Sequence, residues 1–133
     1  MTAADLPERS LPPAKFGRDA SSVTEARHRL LDFLVDVSEQ HRTVAALLVS
    51  ELTTNAIRHA GTPFSLCADV SPLNLRVEVA DGVRDLPVIK HPGPSEPGGR
   101  GMILVSELAD GWGTEPIAGG KLVWFELSLV EPE

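Results

Sequence analysis

The sequence is poor in cysteine and has no long apolar run. Cys67 is the single cysteine among 133 residues, so neither a disulfide framework nor a cysteine-rich metal site can form, which suits a reducing compartment. Its apolar neighbours favour a small buried residue over a reactive thiol. No segment approaches the roughly 18 apolar residues of a membrane span, and the N-terminus lacks an apolar signal region. We therefore expect a cytoplasmic protein without a membrane segment.

Basic residues are also scarce. Twelve lysines and arginines face nineteen aspartates and glutamates, which gives a net charge of −7. Nucleic acids and anionic membranes are bound through clustered cations, so direct binding to either is disfavoured. An anionic ligand would have to be held by local backbone amides and dipoles. The length suits one domain, and 42% hydrophobic with 23% charged residues is ordinary for a globular protein.

Hydrophobic periodicity predicts three helices. Residues 1–15 hold three of the eleven prolines and are expected to be a flexible tail before a domain over 16–130, with a short strand near 15–17 as an option. Ser22 followed three residues later by Glu25 has the spacing of a capping box and predicts the start of the first helix. The other two helices are expected over about residues 43–59 and 101–109.

Four strands are predicted around a proline- and glycine-rich loop. Two apolar runs, PFSLCADV and NLRVEVAD, precede the loop, and WGTEPIAGGKLVWFELSLV follows it as two antiparallel strands joined at Gly119-Gly120. Trp124 is expected in the core. Tight connections between consecutive strands indicate an α+β fold: a two-layer α/β sandwich with a mixed, mostly antiparallel sheet covered on one face by helices.

A line of polar residues follows the second helix. In SELTTNAIRHA, Glu51, Asn55 and His59 recur every four residues, on a stripe beside the core-facing side of the helix. The stripe could simply leave the core and meet solvent. Alternatively, Glu51 and Asn55 could share a Mg²⁺ ion, or Glu51 could act as a general base. No second histidine or cysteine lies at ligand spacing from His59.

Two further motifs lie later in the chain. Gly98, Gly99 and Gly101 lead into an apolar helix and could be a mobile surface loop or a phosphate seat at a helix N-terminus. The P-loop pattern is absent. Asp81-Gly82 ends a half-buried strand and could be a plain turn, or could offer a fixed acceptor for an amino group such as the adenine N6.

The order of the motifs ELTTNAIRHA, VADGVRDLP, GGRGMILV and GGKLVWFEL closely resembles the Bergerat-type ATPase superfamily of gyrase, heat-shock chaperones, histidine kinases and mismatch-repair ATPases. Within it, the chain resembles the small actinobacterial serine/threonine kinases that act as anti-sigma factors. The likeness covers roughly residues 16–130. It implies the Bergerat ATPase fold, with ATP and Mg²⁺ as cofactors.

The resemblance also implies roles for individual residues. Glu51 would be the general base towards the phosphate acceptor, Asn55 the Mg²⁺ ligand, and Asp81 the reader of the adenine amino group. The implied nucleotide-binding set is Asn55, His59, Asp81, Gly82, Gly99, Arg100, Gly101 and Met102. The implied partners are a sigma factor, an antagonist protein that receives the phosphate, and, as an option, a second copy in a homodimer.

Two departures from the family pattern favour a second hypothesis. The first glycine box is reduced to Gly82, and Leu122 stands where a threonine commonly supports the contact between the aspartate and adenine. The protein is therefore expected to be an ATP-dependent protein kinase and switch, or else a binding module of the same fold that uses nucleotide weakly or not at all.

Overall fold

The computed structural model describes residues 8–82 and 100–130. Its elements, in chain order, are β1 (Arg9–Phe16), α1 (Ala20–Phe33), α2 (Glu39–Asn55), a one-turn π-helix (Ala56–Ala60), β2 (Phe64–Val70), β3 (Asn74–Asp81), α3 (Arg100–Leu108), β4 (Gly111–Ile117) and β5 (Gly120–Ser128). No helix within these described ranges is long and apolar enough to cross a bilayer.

The strands form one sheet in the order β1-β2-β3-β5-β4. All four pairings seen in the described residues are antiparallel. Helix α2 contacts both α1 and α3 and lies on the central strands β3 and β5. The two-layer α+β sandwich expected from the sequence is therefore confirmed.

The core lies between the helices and one face of the sheet. In β3 and β5 every second residue points inward, as the period of a half-buried strand requires. The helices contribute small and aliphatic side chains at 3.6-residue spacing. The innermost residues include Ala26, Leu30, Ala45, Leu48, Val49, Leu52, Leu75, Val77, Val79, Met102, Val105 and Phe125.

Part of the segment predicted as a flexible tail forms a strand. Residues 9–15, expected within the flexible tail, belong to β1, which pairs with β2 from Arg9 to Phe16. The register shifts between Leu11 and Ala14, around Pro12 and Pro13. Proline cannot donate to a ladder and is tolerated on an edge strand, so the prolines that suggested a tail are compatible with a strand at the edge of the sheet.

Two helix starts differ from the prediction. Helix α1 begins at Ala20 with Asp19 at the N-cap, so Ser22 is buried inside the first turn and is not the cap. Helix α2 begins at Glu39, because the hydroxyl of Ser38 accepts a hydrogen bond from the backbone N–H of His41 at 3.3 Å. The local capping bond adds one turn that apolar periodicity did not reveal.

Helix α2 does not run regularly to residue 59. After Asn55 it widens into the π-turn Ala56–Ala60, and the N–H of Gly61 donates to the carbonyl of Ala56, five residues back, at 3.3 Å. Gly61 ends the helix with a φ of +63°, a left-handed conformation that favours glycine. The wider turn displaces His59 from the regular helical wheel that placed it in line with Glu51 and Asn55.

Candidate functional site

The end of β3, the start of β5 and the π-turn after α2 lie at the same end of the sandwich. Antiparallel pairing places the end of β3, at Asp81, beside the start of β5, at Lys121, and the π-turn that follows α2 contacts β3. Helix α3 leads directly into the start of β4, which lies beside the far end of β5. The C-terminal end of α3 therefore lies at the opposite end of β5 from Lys121.

The polar line on α2 passes from the interior to solvent. Asn55 is 7% exposed, Glu51 one turn earlier is half-buried, and His59 is exposed. Among the residues that the structure describes, the side chains of Glu51 and Asn55 form no hydrogen bond or ion pair. Among the described residues, the fully enclosed side-chain nitrogen or oxygen without a partner belongs to Arg42, so the Asn55 amide keeps some access to the surface, where a ligand could reach it.

Thr62 ties the end of β3 to the exit of the π-turn. The N–H of Gly82 donates to the Thr62 hydroxyl at 2.9 Å. A Cβ on residue 82 would lie only 3.3 Å from Thr62 Oγ1 and Cγ2, which explains why glycine suits this position. The contact fixes Asp81-Gly82 relative to the helix that carries Asn55. Thr62 carries no signal in the sequence beyond its place between Gly61 and Pro63.

Asp81 forms a buried ion pair with Lys121. The ammonium Nζ lies 2.9 Å from Oδ2 and 3.1 Å from Oδ1 of the carboxylate. Each side chain is 2% exposed. The two residues are direct partners in the β3–β5 register, so the strands themselves bring them together. The predicted acceptor for an amino group thus already has a positively charged donor on it.

Lys121, and not Leu122, is the residue that faces Asp81. Side chains alternate along β5, so Lys121, Val123 and Phe125 point inward while Leu122 lies opposite Ala80 on the outer face. The expectation that Leu122 stands at the supporting position beside Asp81 is therefore wrong by one residue. Counting back from the buried Phe125 in twos would have identified Lys121.

Trp124 is likewise on the outer face and not in the core. It is half-buried there, with the Arg76 guanidinium 4.2 Å from the ring centroid. Trp112, which pairs with Phe125, is the tryptophan that packs against the core. Both positions follow from the same alternation of side chains.

The glycine-rich segment is described only where it becomes helical. Gly98 and Gly99 lie outside the described residues, while Arg100 and Gly101 open α3. Met102, expected among the nucleotide contacts, is 1% exposed. Its side chain packs in the core beneath α3.

The polar groups available fit a cation delivered with a nucleotide better than a resident metal. Within the described part of the chain, no three histidine, cysteine, aspartate or glutamate side chains are grouped to hold a metal ion. Asn55 and Glu51 offer oxygen atoms one helical turn apart. Magnesium commonly takes one or two protein ligands and completes its shell with water and phosphate oxygens, so this sparse set suits a magnesium–nucleotide complex.

The fold and this site define a class of protein. The chain belongs to the family of histidine kinase-like ATPase domains, whose family pattern matches residues 16–126. No curated protein matches the chain.

Among the solved structures with a similar fold, one is described by its domains. It is the crystal structure of the RsbU and RsbW domains of Rv1364c from Mycobacterium tuberculosis, with a TM-score of 0.67 and 16% sequence identity. The match covers 91% of this chain and 33% of the other, so this chain is similar to about a third of that protein's length. At this identity the likeness concerns the fold.

Proposed function

We propose that the protein binds Mg-ATP at the end of the sandwich formed by α2, β3, β5 and α3, and transfers its γ-phosphate to a serine or threonine of an antagonist protein. The observation that supports this best is the placement of Asn55. The residue is 7% exposed, its amide has no partner among the described residues, and it lies one turn from the half-buried Glu51. Membership in an ATPase family is the reason to expect a nucleotide as the ligand.

Each group at this end would have a distinct task. Asn55 would bind Mg²⁺ through its amide oxygen, and magnesium supplies charge neutralisation at the phosphates when the nucleotide is bound. Backbone N–H groups at the start of α3 would face the phosphates, favoured by the helix dipole. Asp81 would accept a hydrogen bond from the adenine amino group.

Glu51 would serve the acceptor. As the bond between the acceptor oxygen and the γ-phosphorus forms, the bond from phosphorus to the bridging oxygen breaks and ADP leaves. The acceptor hydroxyl loses its proton to the Glu51 carboxylate. Since phosphoryl transfer depends mostly on positioning and charge stabilisation, a half-buried carboxylate on a rigid helix is suited to this role.

The proposed setting is regulation of transcription, with a sigma factor as the second protein partner. Support comes from the motif order in the sequence and from the fold shared with a structure that contains an RsbW domain. A homodimer belongs to the same proposal.

A second candidate is a binding module of this fold that responds weakly to nucleotide. The observation that favours it is the buried Asp81–Lys121 pair, because the carboxylate proposed to read adenine is already engaged.

Calorimetric titration with Mg-ATP and Mg-ADP tests the proposal. We expect binding by the wild type and a loss of about tenfold or more for Asn55→Ala, in keeping with removal of a metal ligand or its orienting contacts. Thr54→Ala, a half-buried neighbour on the same turn, is the matched control and should bind as the wild type does. Absence of heat in the wild type up to millimolar nucleotide would contradict ATP binding.

Incubation with labelled ATP and a candidate antagonist separates the kinase from the binding module. Glu51→Ala should keep nucleotide affinity and lose phosphate transfer. Equal transfer by Glu51→Ala and wild type would remove Glu51 from the role of base. Nucleotide binding by the wild type with no transfer to any antagonist would favour the second candidate.

A further inference from the structure

Lys121 occupies hydrogen-bonding positions on both carboxylate oxygens of Asp81. Its Nζ lies within 3.1 Å of both carboxylate oxygens, and neither side chain is more than 2% exposed. An adenine amino group is also a nitrogen donor that must approach one of these two oxygens. A carboxylate has about four acceptor positions, but this one is 2% exposed, so the base can reach it only if the ammonium moves away, and the two compete.

The backbone holds Lys121 in this position. Gly120, the residue before it, lies so close to Asp81 that a Cβ at residue 120 would overlap the Asp81 carbonyl oxygen. The ladder continues through Ala80 opposite Leu122 and Val79 opposite Val123. With the strands in this register, the lysine side chain is delivered to the carboxylate by secondary structure and not by a mobile loop.

The pair is also costly to open. A charge-assisted hydrogen bond is roughly twice as strong as a neutral one, and separating two buried charges leaves each without its partner. An incoming amino group is neutral and supplies less compensation than the ammonium it displaces. Only the fraction of molecules with the pair open would accept adenine in its usual hydrogen-bonded position.

We propose that Lys121 is a specificity-determining residue that lowers the affinity for adenine nucleotides by competing with the base for Asp81. This rests on the proposed function, since it assigns base recognition to Asp81. The apparent dissociation constant then equals the intrinsic one divided by the fraction of open pairs. Removing the ammonium should raise ATP affinity, and the gain should depend on the amino group at C6 of the base.

The test compares two threonine substitutions on β5 and two nucleotides. Lys121→Thr removes the competitor on the inner face, while Leu122→Thr makes the matched change on the outer face. Inosine triphosphate carries a carbonyl oxygen in place of the C6 amino group. We expect Lys121→Thr to tighten ATP binding by about tenfold or more, as an open fraction of a tenth or less implies. Its affinity for inosine triphosphate, and that of Leu122→Thr for ATP, should stay near the wild-type values.

Each possible result either supports or overturns the inference about Lys121. An ATP affinity of folded Lys121→Thr that is unchanged or lower than that of the wild type overturns the inference, and so does an equal gain for both nucleotides. If the wild type binds ATP, the proposed function survives either result. Binding by Lys121→Thr with none by the wild type supports the inference and overturns ATP binding as the natural function. Binding by neither overturns both.

Circular dichroism and a urea melt establish that the variants are folded. Should Lys121→Thr fail to fold, Lys121→Gln replaces it, because glutamine retains a hydrogen-bond donor for Asp81 but not the charge. A neutral donor competes less strongly, so Lys121→Gln should also bind ATP more tightly than the wild type, by a smaller factor. A folded Lys121→Gln with wild-type ATP affinity overturns the inference.

Discussion

Strands β3 and β5 are bridged by charges on both faces of the sheet, and the two bridges differ in their access to water. On the inner face Lys121 lies 2.9 Å from Asp81, with each side chain 2% exposed. On the outer face Arg76 lies 2.9 Å from Glu126, with exposures of 28% and 35%. The distances are equal, so distance alone does not distinguish them. Burial makes the inner pair expensive to break and leaves the outer one partly screened.

The outer bridge is part of a wider cluster. Arg76 also donates to Glu78 at 2.9 Å and lies over the Trp124 ring. Partial burial by itself lowers the pKa of Arg76, but hydrogen bonds and charge from Glu78 and Glu126 outweigh it and raise the pKa. Several contacts with access to solvent therefore act together on this face, whereas the inner face carries the buried Asp81–Lys121 pair.

The largest effect should come from breaking the inner pair. Lys121→Met leaves the Asp81 carboxylate buried without its cation, and we expect a loss of about 3–5 kcal/mol in the free energy of unfolding. Urea denaturation measures it. Replacing both partners, Asp81→Leu with Lys121→Met, should cost much less, because no unpaired charge remains buried. A double variant as unstable as the single one would show that packing, and not charge, is responsible.

Gly120→Ala attacks the register that creates the inner pair. The new Cβ would overlap the Asp81 carbonyl, and we expect a loss of about 2–3 kcal/mol as β5 moves away from β3. Gly61→Ala is the control, since its Cβ would meet nothing within 4 Å and only the φ of +63° opposes it. That variant should lose about 1 kcal/mol. Equal losses would mean that the contact with Asp81 is relaxed without cost.

Arg76→Met tests the outer bridge with a side chain of similar length. It removes the charge and keeps apolar contact with Trp124, so the expected loss is about 1 kcal/mol. The loss should shrink in high salt, which screens exposed pairs. The effect of Lys121→Met should respond far less to salt. A salt-insensitive loss for Arg76→Met would contradict the contrast between the faces.

The last prediction concerns the thiol of Cys67 on the outer face, where we expect a change in alkylation rate and not in stability. Burial, followed by the charge and hydrogen bond of Glu78, raises the pKa of Cys67 from 9.0 to about 11. The reactive thiolate is thus scarce at neutral pH and increases as pH rises towards 11. At pH 8 alkylation should be about tenfold or more slower than for a free cysteine. Glu78→Gln should accelerate it, and Asp69→Asn, which removes a weaker influence, should accelerate it less.

Hydrophobic periodicity predicts most helices and strands of this fold, because packing against a single core requires apolar residues at helix or strand spacing. The strand runs at residues 64–70 and 74–81 and the apolar side of α2 are in their expected places. Errors arose where one local contact decides. The cap at Ser38 lengthens α2, and edge pairing turns proline-bearing residues into β1. Such bonds leave little trace in a pattern of apolar and polar letters.

The candidate site was predicted by residue type more than by geometry. Asn55 and Asp81 lie at the same end of the sandwich, as their proposed roles require, but the exposure of His59 depends on a π-turn that a regular wheel cannot represent. The sequence motif places Leu122 beside Asp81, whereas the strand register places Lys121 there. In a strand, a shift of one residue moves a side chain to the other face of the sheet. Lys121, which carries the charge nearest to Asp81, therefore differs in face from its neighbour Leu122.

The placement of the two tryptophans gives the protein separate optical probes for its two faces. The sequence has two tryptophans and no tyrosine, so emission from the folded chain comes from Trp112 beside the core and Trp124 beneath Arg76. Trp112 lies on β4 and Trp124 on β5, and the turn that joins these two strands directly precedes Lys121. Trp124→Phe would leave emission from the inner side, and Trp112→Phe emission from the outer side. Fluorescence without any added dye can thus report separately on events at each surface of the sheet.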